Sequence, residues 1–337
     1  MAPGPTLSSI YTNFFPPRPA FAETDVPDLS DKVYLVTGAN TGLGKELARV
    51  LYSKNGKVYV AARSRDKAEA AMREIIRDGD PGTSRGSLVY LHLDLADLAS
   101  VKEAATTFLA REKRLDVLFN NAGVFPSPTT EPCPRTVQGY ELCLGVNCLG
   151  HLLLAELLAP LLVATARARP TASVRVVWLS SFGLELNGAE DVGVDLGNLD
   201  YGVEKPAAER YGISKAGVWA LGVEFAGRYG NSGVVSLPVN PGNLKTELAR
   251  HQGWVIKLMM AVLCYPVSVG VCTLLFAGFS PEAAGAARPG NWIVPFGRVY
   301  PVRQDLEKAT RLASEGGTGG TRAFWEWCEE QVRPYLL

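Results

Sequence analysis

Seven short apolar runs alternate with segments of helical periodicity, and this alternation narrows the fold more than any other feature. The runs are Val33–Val36, Val58–Ala61, Leu88–Leu93, Val117–Phe119, Val174–Leu179, Val234–Leu237 and Trp292–Pro295. Helical patterns lie among them at Gly44–Ser53, Asp66–Arg77, Leu98–Ala110, His151–Ala166 and Ser214–Tyr229. The strand-like runs are apolar nearly throughout, as strands of a parallel sheet covered on both faces must be. The pattern predicts an α/β fold with a doubly wound parallel sheet of about seven strands flanked by helices. The sheet-forming region runs from Asp31 to Phe296. Residues 1–30 and 297–337 are too few for a second core. They are expected to be a Pro- and aromatic-rich surface arm and a C-terminal loop with a helix, Arg322–Val332, packed on the same domain.

Charge and cysteine content exclude several classes. The 34 basic residues balance the 34 acidic ones, where a nucleic-acid binder usually carries a basic surplus. The six cysteines form no C-x-x-C pair and there are three histidines, so neither a disulfide framework nor a bound metal is expected. The N-terminus lacks the basic and long apolar regions of a secretory signal, so a cytoplasmic location is expected. Leu258–Gly278 is uncharged and long enough to cross a bilayer. Pro266 should break it into two short segments, and the strand at Trp292 must rejoin the sheet, so no transmembrane span is expected. Peripheral membrane contact stays open.

Directly after the first run comes Thr37-Gly38-Ala39-Asn40-Thr41-Gly42-Leu43-Gly44, followed by a helix. Gly38 permits a tight turn. Gly42 lets backbone approach a pyrophosphate at the helix N-terminus, and Gly44 lets helix and strand pack closely. The second run ends Ala62-Arg63-Ser64-Arg65. It lacks the acid that would bind a ribose 2′-hydroxyl, and the Arg63 guanidinium suits a 2′-phosphate, which favours NADP(H) over NAD(H). Further on, Tyr211 and Lys215 stand four apart on a predicted helix and share a face. An ammonium beside a phenol stabilises the phenolate and prepares the hydroxyl for acid–base work.

With these residues in order, the chain resembles the short-chain dehydrogenase/reductase family. The glycine turn matches Gly38, Asn40, Thr41, Gly42, Leu43 and Gly44. The acidic position after the third strand matches Asp94, with Leu95 beside it. The Asn-Asn-Ala-Gly segment matches Asn120, Asn121, Ala122 and Gly123. The active-site asparagine matches Asn147, the serine Ser181, and Tyr-x-x-x-Lys matches Tyr211 and Lys215. The Pro-Gly loop matches Pro241, Gly242, Leu244 and Thr246. The resemblance implies a Rossmann-type fold and hydride transfer between NADPH and a carbonyl or its alcohol. It implies Tyr211 as the acid/base, Ser181 on the substrate oxygen, Lys215 lowering the tyrosine pKa and holding the nicotinamide ribose, and Asn147 anchoring a water relay. Residues Gly242–Leu244 and Thr246 would grip the carboxamide.

Within the family the chain is similar to retinol-dehydrogenase-like reductases, particularly filamentous-fungal ones. Asp28–Tyr34, the run Pro-Gly-Asn-Leu-Lys-Thr-Glu-Leu from Pro241, and Phe324-Trp325-Glu326-Trp327 carry that likeness. Ser181 and Tyr211 stand farther apart than in compact members, which implies an insertion over Phe182–Arg210. Ser180 competes for the serine role, and Ser181 is chosen because the family's serine is normally the second of the pair. The insertion, the loop after Val124 and the segment Glu247–Tyr265, with Trp254, Ile256, Leu258 and Met259, should frame the substrate. That lining points to a bulky apolar ketone or aldehyde of polyketide, retinoid, steroid or lipid type. The same residues also serve two rival readings: a catalytically silent dinucleotide sensor, or an enzyme of C=C reduction or redox-neutral rearrangement. The family often pairs through the Tyr211 helix and its neighbour, so a homodimer is also open.

Overall fold

A computed structural model of the chain describes residues 4–79, 85–125, 133–245, 264–285 and 287–336. Eight strands form one sheet: β1 Val33–Thr37, β2 Lys57–Ala62, β3 Ser87–His92, β4 Val117–Asn120, β5 Val174–Leu179, β6 Val234–Val239, β7 Asn291–Val294 and β8 Arg298–Pro301. Their order is β3-β2-β1-β4-β5-β6-β7-β8. The first seven pair in parallel and β8 closes the edge antiparallel to β7. This is the doubly wound sheet read from the sequence, with an added edge strand beyond Phe296.

Helices cover both faces: α1 Leu7–Phe14, α2 Gly42–Ser53, α3 Arg65–Asp78, α4 Leu98–Arg111, α5 His151–Arg167, α6 Gly183–Asn187, α7 Ala207–Tyr229, α8 Val267–Phe279, α9 Pro281–Gly285, α10 Gln304–Ala309 and α11 Gly320–Leu336. Neighbouring strand residues face opposite sides. Leu35 and Leu118 pack under α4, α5, α7 and α11, whereas Tyr34, Val36, Val117 and Phe119 pack under α2, α3 and α8. Two apolar layers result, which is why the strands carry no polar face.

Pro266 caps the start of α8, whose central residues Gly270–Gly278 are buried. Of the run Leu258–Gly278, the part before Cys264 lies outside the described residues. Among the described residues one helical stretch, Leu144–Arg167, is long and apolar enough to cross a membrane, and 67% of its apolar window is buried inside the protein. It is the core helix on one face of the sheet.

The two ends of the chain are built into this body. Helix α11 buries Phe324, Trp325, Cys328 and Val332 against α5 and α7. Each such large side chain contributes about 1.5–3 kcal/mol of burial. A Cβ on Gly217 of α7 would stand 2.8 Å from the Phe324 ring, so glycine there lets α11 settle. Thr321 Oγ1 donates to Glu224 Oε1 at 2.6 Å, and Arg228 lies 4.2 Å from the Trp325 ring centre. Helix α1, from the expected surface arm, buries Ser9 and Asn13 while Leu7 and Tyr11 stay exposed.

Candidate active site

The strand order reverses between β1 and β4, whose following turns diverge and open a crevice at the carboxyl edge of the sheet. The glycine turn after β1 forms one wall. Gly38 and Gly42 adopt φ of +66° and +53°, the left-handed region that glycine enters freely. A Cβ on Gly44 would lie 2.5 Å from the Gly38 carbonyl oxygen, so α2 approaches the turn as only glycine allows. Thr41 precedes the first residue of α2, leaving that helix's first N–H groups at the crevice.

The second wall is Asn120–Gly123 after β4. Thr37 ties the walls together: its hydroxyl oxygen accepts from the Asn121 and Ala122 N–H groups, both at 2.9 Å. Asn121 Nδ2 donates to the Thr37 carbonyl at 2.8 Å. Arg63 follows β2 and is exposed, and no carboxylate pairs with it among the described residues. Arg65 is engaged, by Glu69 at 3.3 Å and the Tyr90 ring at 5.4 Å. Asp94 follows β3; its carboxylate accepts from the Ala96 N–H at 2.9 Å, and Leu95 beside it is buried. The glycine cradle thus fits a pyrophosphate, with Arg63 and Asp94 at the ends of the neighbouring strands.

The candidate catalytic residues lie on the segments that follow β4 and β5. Ser181 follows β5 and stands beside Tyr211 on α7, and its oxygen accepts from the Gly183 N–H at 3.2 Å. Close packing of α6 on α7 makes this contact. A Cβ on Gly183 would lie 3.0 Å from Gly212 Cα, and one on Gly212 would lie 2.0 Å from Asn187 Oδ1. Ser180 is buried and donates to the Lys215 carbonyl at 2.7 Å, so its hydroxyl braces α7.

Lys215 is buried, and Nζ donates to the Leu179 carbonyl at 2.6 Å. Burial pushes its pKa down to about 8. Gly123 passes directly above: a Cβ there would lie 3.3 Å from Nζ. Burial also pushes Tyr211 up to about 12, with the Ser181 hydroxyl pulling it the other way. The Lys215 ammonium lies 5.6 Å from the tyrosine ring centre. In this arrangement desolvation therefore outweighs the phenolate-stabilising effect expected of the lysine.

Asn147 lies in a widened, π-type stretch, Leu144–Gly150, that leads into α5. Such turns recur at functional sites. Its amide is fully occupied: Oδ1 accepts from the Val124 N–H at 3.0 Å and Nδ2 donates to Ser214 Oγ at 2.9 Å. Its carbonyl lies 3.0 Å from His151 Nδ1, and His151 Nε2 lies 3.0 Å from Thr37 Oγ1. A carbonyl only accepts, so the ring carries its proton on Nδ1 and accepts the Thr37 hydroxyl proton at Nε2. Burial pushes His151 down to about 4 and keeps it neutral. His151 thus links the glycine turn to Asn147, a role the sequence reading does not assign it. The four-residue spacing of Asn147 and His151 was the available signal. Ser214 was missed too, although it immediately precedes Lys215.

The Pro241-Gly242 turn follows β6. Gly242 takes φ +92°, its N–H donates to Asn240 Oδ1 at 3.1 Å, and Leu244 bridges to Tyr265. Thr246, Trp254, Ile256, Leu258 and Met259 lie outside the described residues. The described cleft wall is aromatic: Phe125 lies 4.9 Å from Tyr211, and Phe14 meets Phe182 edge-on at 5.2 Å.

A family model described as short chain dehydrogenase matches residues 32–182. A short-chain dehydrogenase/reductase of Phomopsis amygdali is 49% identical over 335 residues, covering 98% of each chain. The chain belongs to the short-chain dehydrogenase/reductase family. A second short-chain dehydrogenase/reductase, from Neocamarosporium betae, is 49% identical over 98% of this chain and 94% of its own. The fold is similar to that of an NADPH-bound carbonyl reductase from chicken fatty liver, with TM-score 0.60, 22% identity, and 83% and 97% of the two chains covered. This short-chain dehydrogenase/reductase is thus an oxidoreductase on a fold that binds a nicotinamide dinucleotide.

Proposed function

We propose that the chain is an NADPH-dependent carbonyl reductase acting on a bulky apolar ketone or aldehyde of polyketide, retinoid, steroid or lipid type. The observation that carries this reading is the gathering of Ser181, Tyr211 and buried Lys215 at the carboxyl edge of a sheet whose β1 turn is a phosphate cradle. The bound nicotinamide supplies the hydride. Tyr211 holds its proton at neutral pH, as an ordinary phenol does, burial only strengthening that hold, and it donates the proton to the carbonyl oxygen. This state suits reduction. Ser181 donates to the same oxygen as charge develops there. Lys215, against Gly123, holds the nicotinamide ribose. Asn147 orders Val124 and Ser214 around the lysine, so its contribution is architectural.

Exposed Arg63 supports the choice of NADPH, and the aromatic pairs Phe125–Tyr211 and Phe14–Phe182 support an apolar substrate. The sheet and its covering helices act as one catalytic domain that includes both ends of the chain. Helix α11 covers α5 and α7, so any homodimer through those helices would have to displace it. The test is NADPH consumption across large apolar ketones and aldehydes, with Tyr211→Phe alongside. Turnover should fall by about 10²–10⁴-fold in the variant with NADPH affinity retained. Turnover near wild type in the variant, or NADPH binding without turnover on any carbonyl, overturns the reading.

A further inference from the structure

Helix α1 reaches the Pro241-Gly242 turn by two separate routes. In the first, Asn240 Nδ2 donates to Asn13 Oδ1 at 2.8 Å, while Asn240 Oδ1 accepts from the Gly242 N–H at 3.1 Å. Asn13 is itself held, since its Nδ2 donates to the Ser9 carbonyl at 2.8 Å. Both asparagines are at most 3% exposed. In the second route, the Tyr265 hydroxyl donates to the Phe14 carbonyl at 3.1 Å. The Tyr265 backbone then clasps the turn, its N–H donating to the Asn243 carbonyl at 2.7 Å and its carbonyl accepting from the Lys245 N–H at 3.0 Å. Beyond these, Ser9 Oγ donates to Glu185 on α6, and the Phe14 ring packs on Phe182 beside Ser181.

A merely decorative arm would hang on the rim through exposed contacts such as Ser8 with Tyr300, which also exists. Asn13 is different. It is buried, all its polar atoms are used, and its partner is the side chain that shapes a left-handed glycine turn. We propose that Asn13 is a positioning residue for the nicotinamide side of the site: through Asn240 it sets the Pro241-Gly242 turn, making α1 part of the active site. The proposal rests on the dinucleotide reading given above.

The experiment measures dissociation constants of the full-length protein for the tighter-bound of NADPH and NADH, and for the matching ADP-ribose fragment that lacks nicotinamide. Asn13→Ala strips a buried amide of its partner and lets the turn drift. The dinucleotide should then bind about tenfold more weakly, while the fragment, held at the β1 turn, changes by less than about twofold. Tyr265→Phe, which removes one oxygen, should give a smaller loss with the same selectivity. Ser8→Ala should change neither constant. Equal weakening of both ligands in both turn variants, or no change in either, overturns the proposal. Should Asn13→Ala not fold, Tyr265→Phe alone decides by the same criterion. If wild-type protein binds neither ligand, the dinucleotide reading falls and the proposal with it, an outcome distinct from a failure in the variants alone.

Discussion

On the β1–β4 side of the cleft, the groups that would meet a dinucleotide are backbone atoms and glycines within two turns, bound to each other through Thr37. On the β5–β6 side, Ser181, Tyr211 and the Pro-Gly turn are brought into place by α6, α7 and α1, which lie far apart in the chain. The first side is set by local backbone conformation and the second by packing between distant segments. Damage should differ accordingly. A side chain added to the first side should cost cofactor affinity, and one added between α6 and α7 on the second should cost turnover.

The sharpest test is Gly44→Ala. Its Cβ would lie 2.5 Å from both the Gly38 carbonyl oxygen and Asn121 Nδ2, so the glycine turn must shift. Dinucleotide affinity should drop by at least about 100-fold in a fluorescence titration, near 3 kcal/mol. Next comes His151, which joins the two sides. The unfolded chain takes up its proton near pH 6.5 and the native protein only near 4. Stability should therefore fall as pH drops through that window, by roughly 3 kcal/mol at its acid end. Denaturant unfolding of wild type and His151→Gln should show this slope only in wild type.

Gly183→Ala probes the second side. Its Cβ would press on Gly212 Cα at 3.0 Å and push Ser181 from Tyr211. Turnover should fall by about 10–100-fold while the dinucleotide dissociation constant stays within about twofold. The smallest effect is expected from Arg63→Glu, which alters one contact at the edge of the first side. The preference for NADPH over NADH should fall by about tenfold in kcat/KM.

The same contrast explains what could be read in advance. Strands β1, β2 and β4 to β7 were legible because parallel strands buried on both faces leave apolar runs; the half-buried edge β3 keeps its Leu-Val-Tyr-Leu run, whereas β8, Arg-Val-Tyr-Pro, is a partly exposed edge that leaves none. Gly38, Gly42 and Gly44 were legible because local conformation demands glycine there. Asn13 and Asn240 were not, since a buried amide pair spanning 227 positions has no local signature. Tyr211 and Lys215 could be found from spacing, but the balance between burial and charge that sets the tyrosine's pKa depends on the completed core.

The placement of α1 also has a consequence for the order in which the molecule forms. Residues 7–14 emerge from the ribosome long before their partners: Ser9 waits for Glu185, Asn13 for Asn240, and Ser8 for Tyr300, 292 positions later. Closing loops of that length is slow and entropically costly, so they form after the local βα units. Helix α1 is thus made early and docks late, and a nascent chain completes the surroundings of the Pro241-Gly242 turn only after Asn240 and Tyr265 have been made.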